Sequence, residues 1–476
     1  MSSTKKNAAY NVAYRLFSVL LPLVTAPYLS RVVGTEGVGL YTDAWTISEI
    51  FCIIGMLGLA DYGVRTIAQV RDNREELDRT FSGIWQMQLL VAGLTLLLWF
   101  GYVFLIAGEE KTIALHLTMM SVSCLVSFDW CLMGLGIFKP IALRNTFVKC
   151  AAAACVFIFV RSKDDLWIYA FVWSLATLLG NLSSALSLRG KVSYHPVSLK
   201  ETLKHLRPCA VLCISVMAVS IYRRMDKAMV FYIAGKSETG LYENAEKIIY
   251  CLSGFILAIG TVMMPKVSNM WKKGETERIA RHIDTSMDLM MCMVSAMAFG
   301  VAAVADKFAP LFYGEAFRYS GTLMVPLGFT LIMIGFANVI RTQVVLPQNR
   351  DHIFVKSVCC GAAVNLVANA CLIPTMKSMG AVVGTLLAEM TVPVVQYLLL
   401  RKELPYKTYL SYVAVYGIIG GIMLVCVRLI SHLLPAETWL NLGIETLAGA
   451  VIYTALCLAW WKISGKDHLK LLKRRS

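Results

Sequence analysis

Long apolar stretches separated by short polar segments repeat along almost the whole chain. Fourteen of them reach about 18 residues or more, and each is bounded by charged residues, glycine or proline. A helix needs about 20 mostly apolar residues to cross the hydrocarbon core of a bilayer. The pattern therefore predicts an all-α integral membrane protein whose transmembrane spans 1–14 lie at 8–30, 38–60, 83–107, 112–135, 141–160, 166–188, 208–233, 241–264, 285–305, 320–340, 352–374, 379–400, 408–430 and 438–461.

The composition agrees with this pattern and excludes other classes. Of the 476 residues 57% are hydrophobic and only 16% are charged, so fourteen spans leave no room for a large soluble catalytic domain. The net charge of +15 does not indicate nucleic-acid binding, because Lys and Arg fall in short runs between apolar stretches rather than on one soluble domain. The fourteen cysteines lie in or beside the spans, and we interpret them as small apolar residues.

The distribution of Lys and Arg predicts the orientation of the chain. With the N-terminus inside, the inner segments hold 29 basic residues and the outer segments hold 8. Cytoplasmic loops of membrane proteins carry such an excess. We therefore expect both termini to be cytoplasmic. The basic C-terminal tail, 466–475, is expected to contact anionic lipid.

An internal repeat divides the chain into two halves. The segment Gly34–Ile47 recurs 201 residues later as Gly235–Ile248, and the tripeptide 147–149 recurs as 354–356. Spans 1–6 therefore pair with spans 7–12, and each half has an even number of spans, so the halves are related by a pseudo-two-fold axis along the membrane normal. This predicts a first six-helix bundle at 1–200, a second at 201–403, and spans 13–14 with the tail at 404–476.

Two longer inner loops occupy the same place in each half. Segments 65–82 and 266–284 mix charged residues with periodic apolar ones, which predicts short helices on the inner surface. In the first loop, Asp72 and Glu75 have the spacing of a helix N-cap pair.

Buried charge marks the candidate site, since an ionisable side chain at mid-depth costs about 2.5–3.5 kcal/mol on insertion scales. Span 7 carries Arg223, Arg224, Asp226 and Lys227 near its middle. One carboxylate cannot neutralise three cations, so we expect the cations to face a water-filled cavity that binds an anion. The alternative is a neutralised pair that fixes helix packing. Arg15 in span 1 is the fourth candidate for this cationic cavity.

Buried carboxylates form a second candidate set. These residues could carry a coupling proton or pair with a cation, and the sequence leaves both interpretations open: Asp43, Glu49, Asp226 and Glu389. We expect no catalytic residue, metal or cofactor, because the sequence has no phosphate-binding loop, no paired-histidine zinc motif and no nucleophile elbow.

Several segments resemble one family, the polysaccharide repeat-unit flippases (Wzx type) of the multidrug/oligosaccharidyl-lipid/polysaccharide exporter superfamily. The most specific stretch is PLVTAPYLSRVVG at 22–34. The likeness extends over about residues 8–400, and its other matching segments are 39–41, 59–68, 71–73, 225–227, 240–242, 245–247 and 265–266.

The resemblance implies two six-helix bundles around a central cavity. It also implies that an undecaprenyl-pyrophosphate-linked oligosaccharide moves from the inner to the outer leaflet of the bacterial cytoplasmic membrane by alternating access. A polysaccharide polymerase would be a partner. Two alternatives stay open: a cation-coupled multidrug antiporter, which would need an acidic and aromatic site, and a membrane glycosyltransferase or polymerase, which would need a long extramembrane loop.

Overall fold

The computed structural model describes the backbone of residues 3–434 and 436–465, and their side chains except those of 3–20, 214–216, 218–219 and 221–223. The described chain is helical and forms two compact units, Met1–Gly240 and Leu241–Ser476. Its helices are α1 Ser3–Met56, α2 Leu59–Val70, α3 Arg74–Leu105, α4 Lys111–Ser123, α5 Asp129–Gly134, α6 Lys139–Phe159, α7 Leu166–Leu188, α8 Leu199–Leu203, α9 Leu206–Ala234, α10 Lys236–Lys272, α11 Thr276–Tyr313, α12 Arg318–Ile340, α13 Asp351–Met376, α14 Ser378–Leu400, α15 Tyr406–Leu433 and α16 Trp439–Ile463.

The helices confirm a multi-pass membrane protein. Within the described residues, eleven helical segments are long and apolar enough to cross a membrane. Spans 1 and 2 both lie in α1, where Gly34 breaks the helix with a φ of 70°. Its repeat counterpart Gly235, with a φ of 96°, separates α9 from α10. The repeated glycine is therefore a bend that only glycine adopts without strain, and it joins an odd span to the next even span in both halves.

Span 4 differs from the continuous helix expected at 112–135. α4 ends at Ser123, and a short 3₁₀ turn and two non-helical residues precede α5. Gln88 on α3 donates to the carbonyls of Cys124 and Ser127 at 2.5 and 3.0 Å. Trp130 donates in turn to the Gln88 side chain at 3.0 Å. Broken helices occur at membrane depth only where other protein groups satisfy the freed backbone in this way.

The two longer loops, predicted at 65–82 and 266–284, also differ from the sequence expectations. In the first loop the short helix is α2, which begins at residue 59 rather than 65, and the N-cap of α3 is Asn73, whose side chain accepts from the Glu76 amide, rather than Asp72. In the second loop, α10 continues to Lys272 and α11 begins at Thr276. The two helices leave only a tight turn at Gly274, where φ is 70°. The loop at 266–284 is thus two helix ends and not a separate surface helix.

The segment 189–205 between spans 6 and 7 folds onto the start of α3. Arg74 donates to the carbonyls of Gly190 and Lys191, and its Nε lies 3.1 Å from an oxygen of Asp78. Arg79 pairs with Glu201. Both arginines of this inner corner are therefore neutralised by the chain itself.

In the second unit, α15 and α16 are fastened to α11 by polar contacts. Lys307 Nζ lies 2.6 Å from an oxygen of Glu445, and Tyr416 donates to Asp288 at 2.7 Å. Spans 13 and 14 are therefore integral to this unit. The repeat-based divisions at 200 and 403 stay predictions, and the basic tail 466–475 lies outside the described residues.

Candidate functional site

Within the first unit, span 7 packs against span 2 from end to end. Cys213 contacts the Ile53 carbonyl near one end of the two helices. Near the other end, the Tyr232 hydroxyl donates to Asp43 at 3.4 Å. From one contact to the other, residue numbers increase along α9 and decrease along α1, so the two spans run antiparallel. This agrees with their numbers in the chain, because an even-numbered and an odd-numbered span cross the membrane in opposite directions.

The charges at the middle of this helix pair form a salt bridge. Arg224 Nε donates to one oxygen of Glu49 at 2.8 Å, and its Nη2 bonds the other oxygen. The contact is bidentate, which is the strongest geometry available to a guanidinium and a carboxylate. The Arg224 side chain is 24% exposed and that of Glu49 is 29% exposed, so the pair is accessible from one side.

The sequence proposed a site with one carboxylate for three cations, and the structure adds a second carboxylate. Glu49 was expected to carry a proton or to pair with a cation, and here it pairs with Arg224. Asp226 is buried and Lys227 is half-buried, and both have further polar interactions. The side chains of Arg15 and Arg223 lie outside the described residues.

The fourth candidate carboxylate lies in the other unit. Glu389 is on α14, is half-buried and has polar interactions of its own. The structure therefore brings together Arg224 and Glu49, and places Asp43 on the same helix pair.

The first unit also contains two buried carboxylates, Asp43 and Glu110, and the sequence indicated only Asp43 as a candidate. Asp43 is fully buried and accepts from Tyr232. Glu110 is also buried and accepts from Tyr102 and from the Gly108 amide, each at 3.2 Å. The sequence placed Glu110 in a short outer loop, and only its contact with Tyr102 reveals that it is covered.

The repeated glycines make a reciprocal contact beside this cluster. A side chain on Gly39 would collide with the Lys236 carbonyl, and one on Gly240 would collide with the Thr35 carbonyl. Gly39 and Gly240 are 201 residues apart, as are Thr35 and Lys236. The hydroxyls of Thr35 and Ser237 add a hydrogen bond of 2.8 Å. The two bends therefore touch backbone to backbone.

No metal site accompanies these residues. Across the described residues, no group of three His, Cys, Asp or Glu side chains is placed to hold a metal ion. The site contains hydrogen-bond donors and charges, which can bind or move a charged substrate.

The many apolar spans and the accessible charge pair between two of them are features of a membrane transporter. The sequence profile of the "Polysaccharide biosynthesis protein" family matches residues 4–271, and that of "Lipid II flippase MurJ" matches residues 166–448. The chain belongs to the polysaccharide biosynthesis protein family. It is thus a flippase of glycan lipids, a transporter and not an enzyme.

Individual relatives agree with this assignment. The chain is 22% identical over 413 residues to the "Putative O-antigen transporter" of Escherichia coli (strain K12), covering 84% of this chain and 97% of that protein. It is 22% identical over 252 residues to the "Probable low-salt glycan biosynthesis flippase Agl15" of Haloferax volcanii, covering 53% of each chain.

Two solved structures show the same fold. "Lipid II flippase MurJ, inward closed conformation" has a TM-score of 0.78 at 15% identity, covering 96% of this chain and 98% of that one. An inward-facing "multidrug resistance MATE family transporter of the MOP superfamily" has a TM-score of 0.58 at 12% identity, covering 82% and 94%.

Proposed function

We propose that this protein flips an undecaprenyl-pyrophosphate-linked oligosaccharide repeat unit from the inner to the outer leaflet of the bacterial cytoplasmic membrane. Transport occurs by alternating access around a cationic central cavity, and both termini are cytoplasmic. The family assignment supports the class of cargo. The observation that carries the proposal is the accessible Arg224–Glu49 pair in the middle of span 7.

The geometry of this pair suits a diphosphate. Arg224 presents Nε and Nη2 side by side to the two oxygens of Glu49. Two oxygens of a phosphate match the same planar fork, and a pyrophosphate brings at least two negative charges. Lys227, three residues further along the helix, can neutralise the second charge.

Glu49 has a role in the unloaded transporter. An unpaired arginine at mid-depth would be costly, so a carboxylate that holds the guanidinium until cargo arrives lowers that cost. Since both side chains of the pair are about a quarter exposed, the pyrophosphate displaces Glu49 without unpacking the helices. Release of the cargo restores the pair.

We assign the coupling of transport to an ion to the buried carboxylates. Asp43, whose Oδ1 is buried with no hydrogen-bond partner in the described structure, is the strongest candidate to take up a proton. A protonated Asp43 would relieve its repulsion with buried Glu110. Asp226 and Glu389 stay candidates from the sequence.

Substitution of Arg224 tests the proposal. Arg224→Gln should reduce export of the lipid-linked glycan at least tenfold, because the diphosphate loses a charge-assisted bidentate contact worth more than about 1.4 kcal/mol. Arg224→Lys should restore export only partly, since an ammonium lacks the planar fork. The readout is flipping of a defined lipid-linked glycan in proteoliposomes, with protein abundance measured in parallel.

The double variant Arg224→Gln with Glu49→Gln separates binding from packing. If Arg224 binds cargo, removing Glu49 as well restores abundance but not transport. Full transport by the double variant would show that the pair only fixes the helices. Lys377→Gln, in a predicted outer loop, serves as the control for loss of one positive charge.

A further inference from the structure

A basic hollow lies at the inner turn between α10 and α11. Lys266, Asn269 and Met270 line one side from a shared face of α10, and Lys273 adds to it from the turn that follows the helix. Glu275 and Arg278 of the turn and α11 complete the lining. The hollow encloses about 200 Å³, which is ample for a phosphate group with its first waters.

In the first half of the chain, the turn between α2 and α3 has the equivalent position. There the chain itself provides the groups that neutralise the basic side chains. The first two turns of α3 carry Arg74 and Arg79. The 17-residue connector 189–205 lies over them and supplies two backbone carbonyls and the carboxylate of Glu201. Arg74 and Arg79 thus both have partners within the chain.

The second half lacks such a cover. Its equivalent connector after span 12 is only the segment 401–405, and the carboxylate in it, Glu403, bonds Arg350 at 2.5 and 2.9 Å. Glu275 pairs with Arg278 at 3.0 Å. Lys266 and Lys273 form no ion pair with any residue that the structure describes. Two lysines that line the same hollow are therefore left for an anion from outside the chain.

We propose that this hollow binds the headgroup phosphate of an anionic membrane phospholipid. Lys266 follows directly after the predicted span 8, which ends at residue 264, so we expect the α10 side of the hollow to begin at the level of the lipid headgroups. Basic pockets between spans on the cytoplasmic side suit this chemistry. Lys266 and Lys273 contact the phosphate oxygens, the Asn269 amide donates to the headgroup, and the bound lipid takes the place that the 189–205 connector fills in the first half.

Lipid retention by the full-length protein tests this site. We would titrate phosphatidylglycerol into detergent-solubilised protein against a phosphatidylcholine background and measure bound lipid by native mass spectrometry. Lys266→Gln with Lys273→Gln should weaken phosphatidylglycerol binding about thirtyfold, since each lysine near a membrane surface raises the affinity about fivefold. Each single variant, made in case the double variant folds poorly, should weaken binding about fivefold.

A matched control keeps the net charge equal. Lys402→Gln with Lys407→Gln removes one lysine from the 401–405 connector and one from the first turn of α15, and it should leave the affinity within twofold of the parent. Equal losses in the two double variants would overturn the site, because binding would then follow total charge. Inorganic phosphate that binds the parent as tightly as phosphatidylglycerol does would also overturn it, since the ligand would then be a soluble anion. The readout is lipid binding, so the result stands apart from the transport assay.

Discussion

Buried charges in this protein are held in pairs that differ in how far they are sealed from water. Glu445 is fully covered and Lys307 is 11% exposed, whereas the side chains of Arg224 and Glu49 are both about a quarter exposed. Lys307 also donates to the Ser431 and Leu434 carbonyls at 3.4 and 2.8 Å. A sealed pair with extra hydrogen bonds fixes structure, while an open pair can exchange one partner for a ligand.

Lys307→Met should therefore destabilise the second unit strongly. It leaves Glu445 as an uncompensated buried charge, a change that typically costs about 3–5 kcal/mol. The midpoint of thermal unfolding in nanodiscs should fall well below that of the parent. Lys307→Met with Glu445→Leu should recover most of the loss, because no buried charge remains. A single variant that unfolds at the parental temperature would contradict the structural role of this pair.

The sequence could not predict which charged side chains of the site pair with each other. The depth of Arg224 and Glu49 in apolar stretches marked both as important, but 175 residues separate them. Only the packing of α9 against α1 brings them together. Glu110 is a harder case, because in the sequence nothing distinguishes it from its exposed neighbour Glu109.

The length of an apolar stretch predicts where a helix lies, whereas a break within a helix depends on contacts with other helices. The predicted spans 6 and 12 agree with α7 and α14 to within a residue, since charge and glycine bound them clearly. The break in span 4 has no such signal. It depends on Gln88, an amide on another helix that replaces the missing intrahelical hydrogen bonds.

The inner connector 189–205 has a built-in pH dependence. His205 at its end is buried and bonds the Tyr62 hydroxyl through Nδ1 at 2.7 Å. Burial, aided by Lys204 and opposed by Glu201, lowers the pKa of His205 to about 4. Since the unfolded chain binds its proton near pH 6.5, the free energy of unfolding this corner falls as pH drops from about 6.5 towards 4.

Hydrogen exchange at the amides of 193–205 should show this effect. After correction for intrinsic rates, we expect faster opening at pH 5 than at pH 7.5 in the parent. His205→Gln cannot gain the proton and should open at similar rates at both values. A parental connector whose protection is constant across this range would mean that the buried histidine is not linked to its stability.

For the whole molecule, the distribution of basic residues predicts the orientation of the chain in the membrane. In a cysteine-free background, Lys111→Cys and Lys377→Cys should react with an impermeant maleimide added to intact cells. Asn73→Cys and Gly274→Cys should react only after the membrane is opened. Labelling of the second pair from outside would invert the topology and remove the basic hollow from the inner surface.

The reciprocal glycine contact has the symmetry of a contact between two identical subunits. Gly39 meets the carbonyl of Lys236 while Gly240 meets that of Thr35, so the same two positions of the repeat meet each other in exchanged roles. That is the defining property of an isologous interface in a two-fold homodimer. The contact is what two separate six-span copies would make across a dyad. Because both repeats lie in one chain, the contact is intramolecular, and either glycine can change independently of its counterpart.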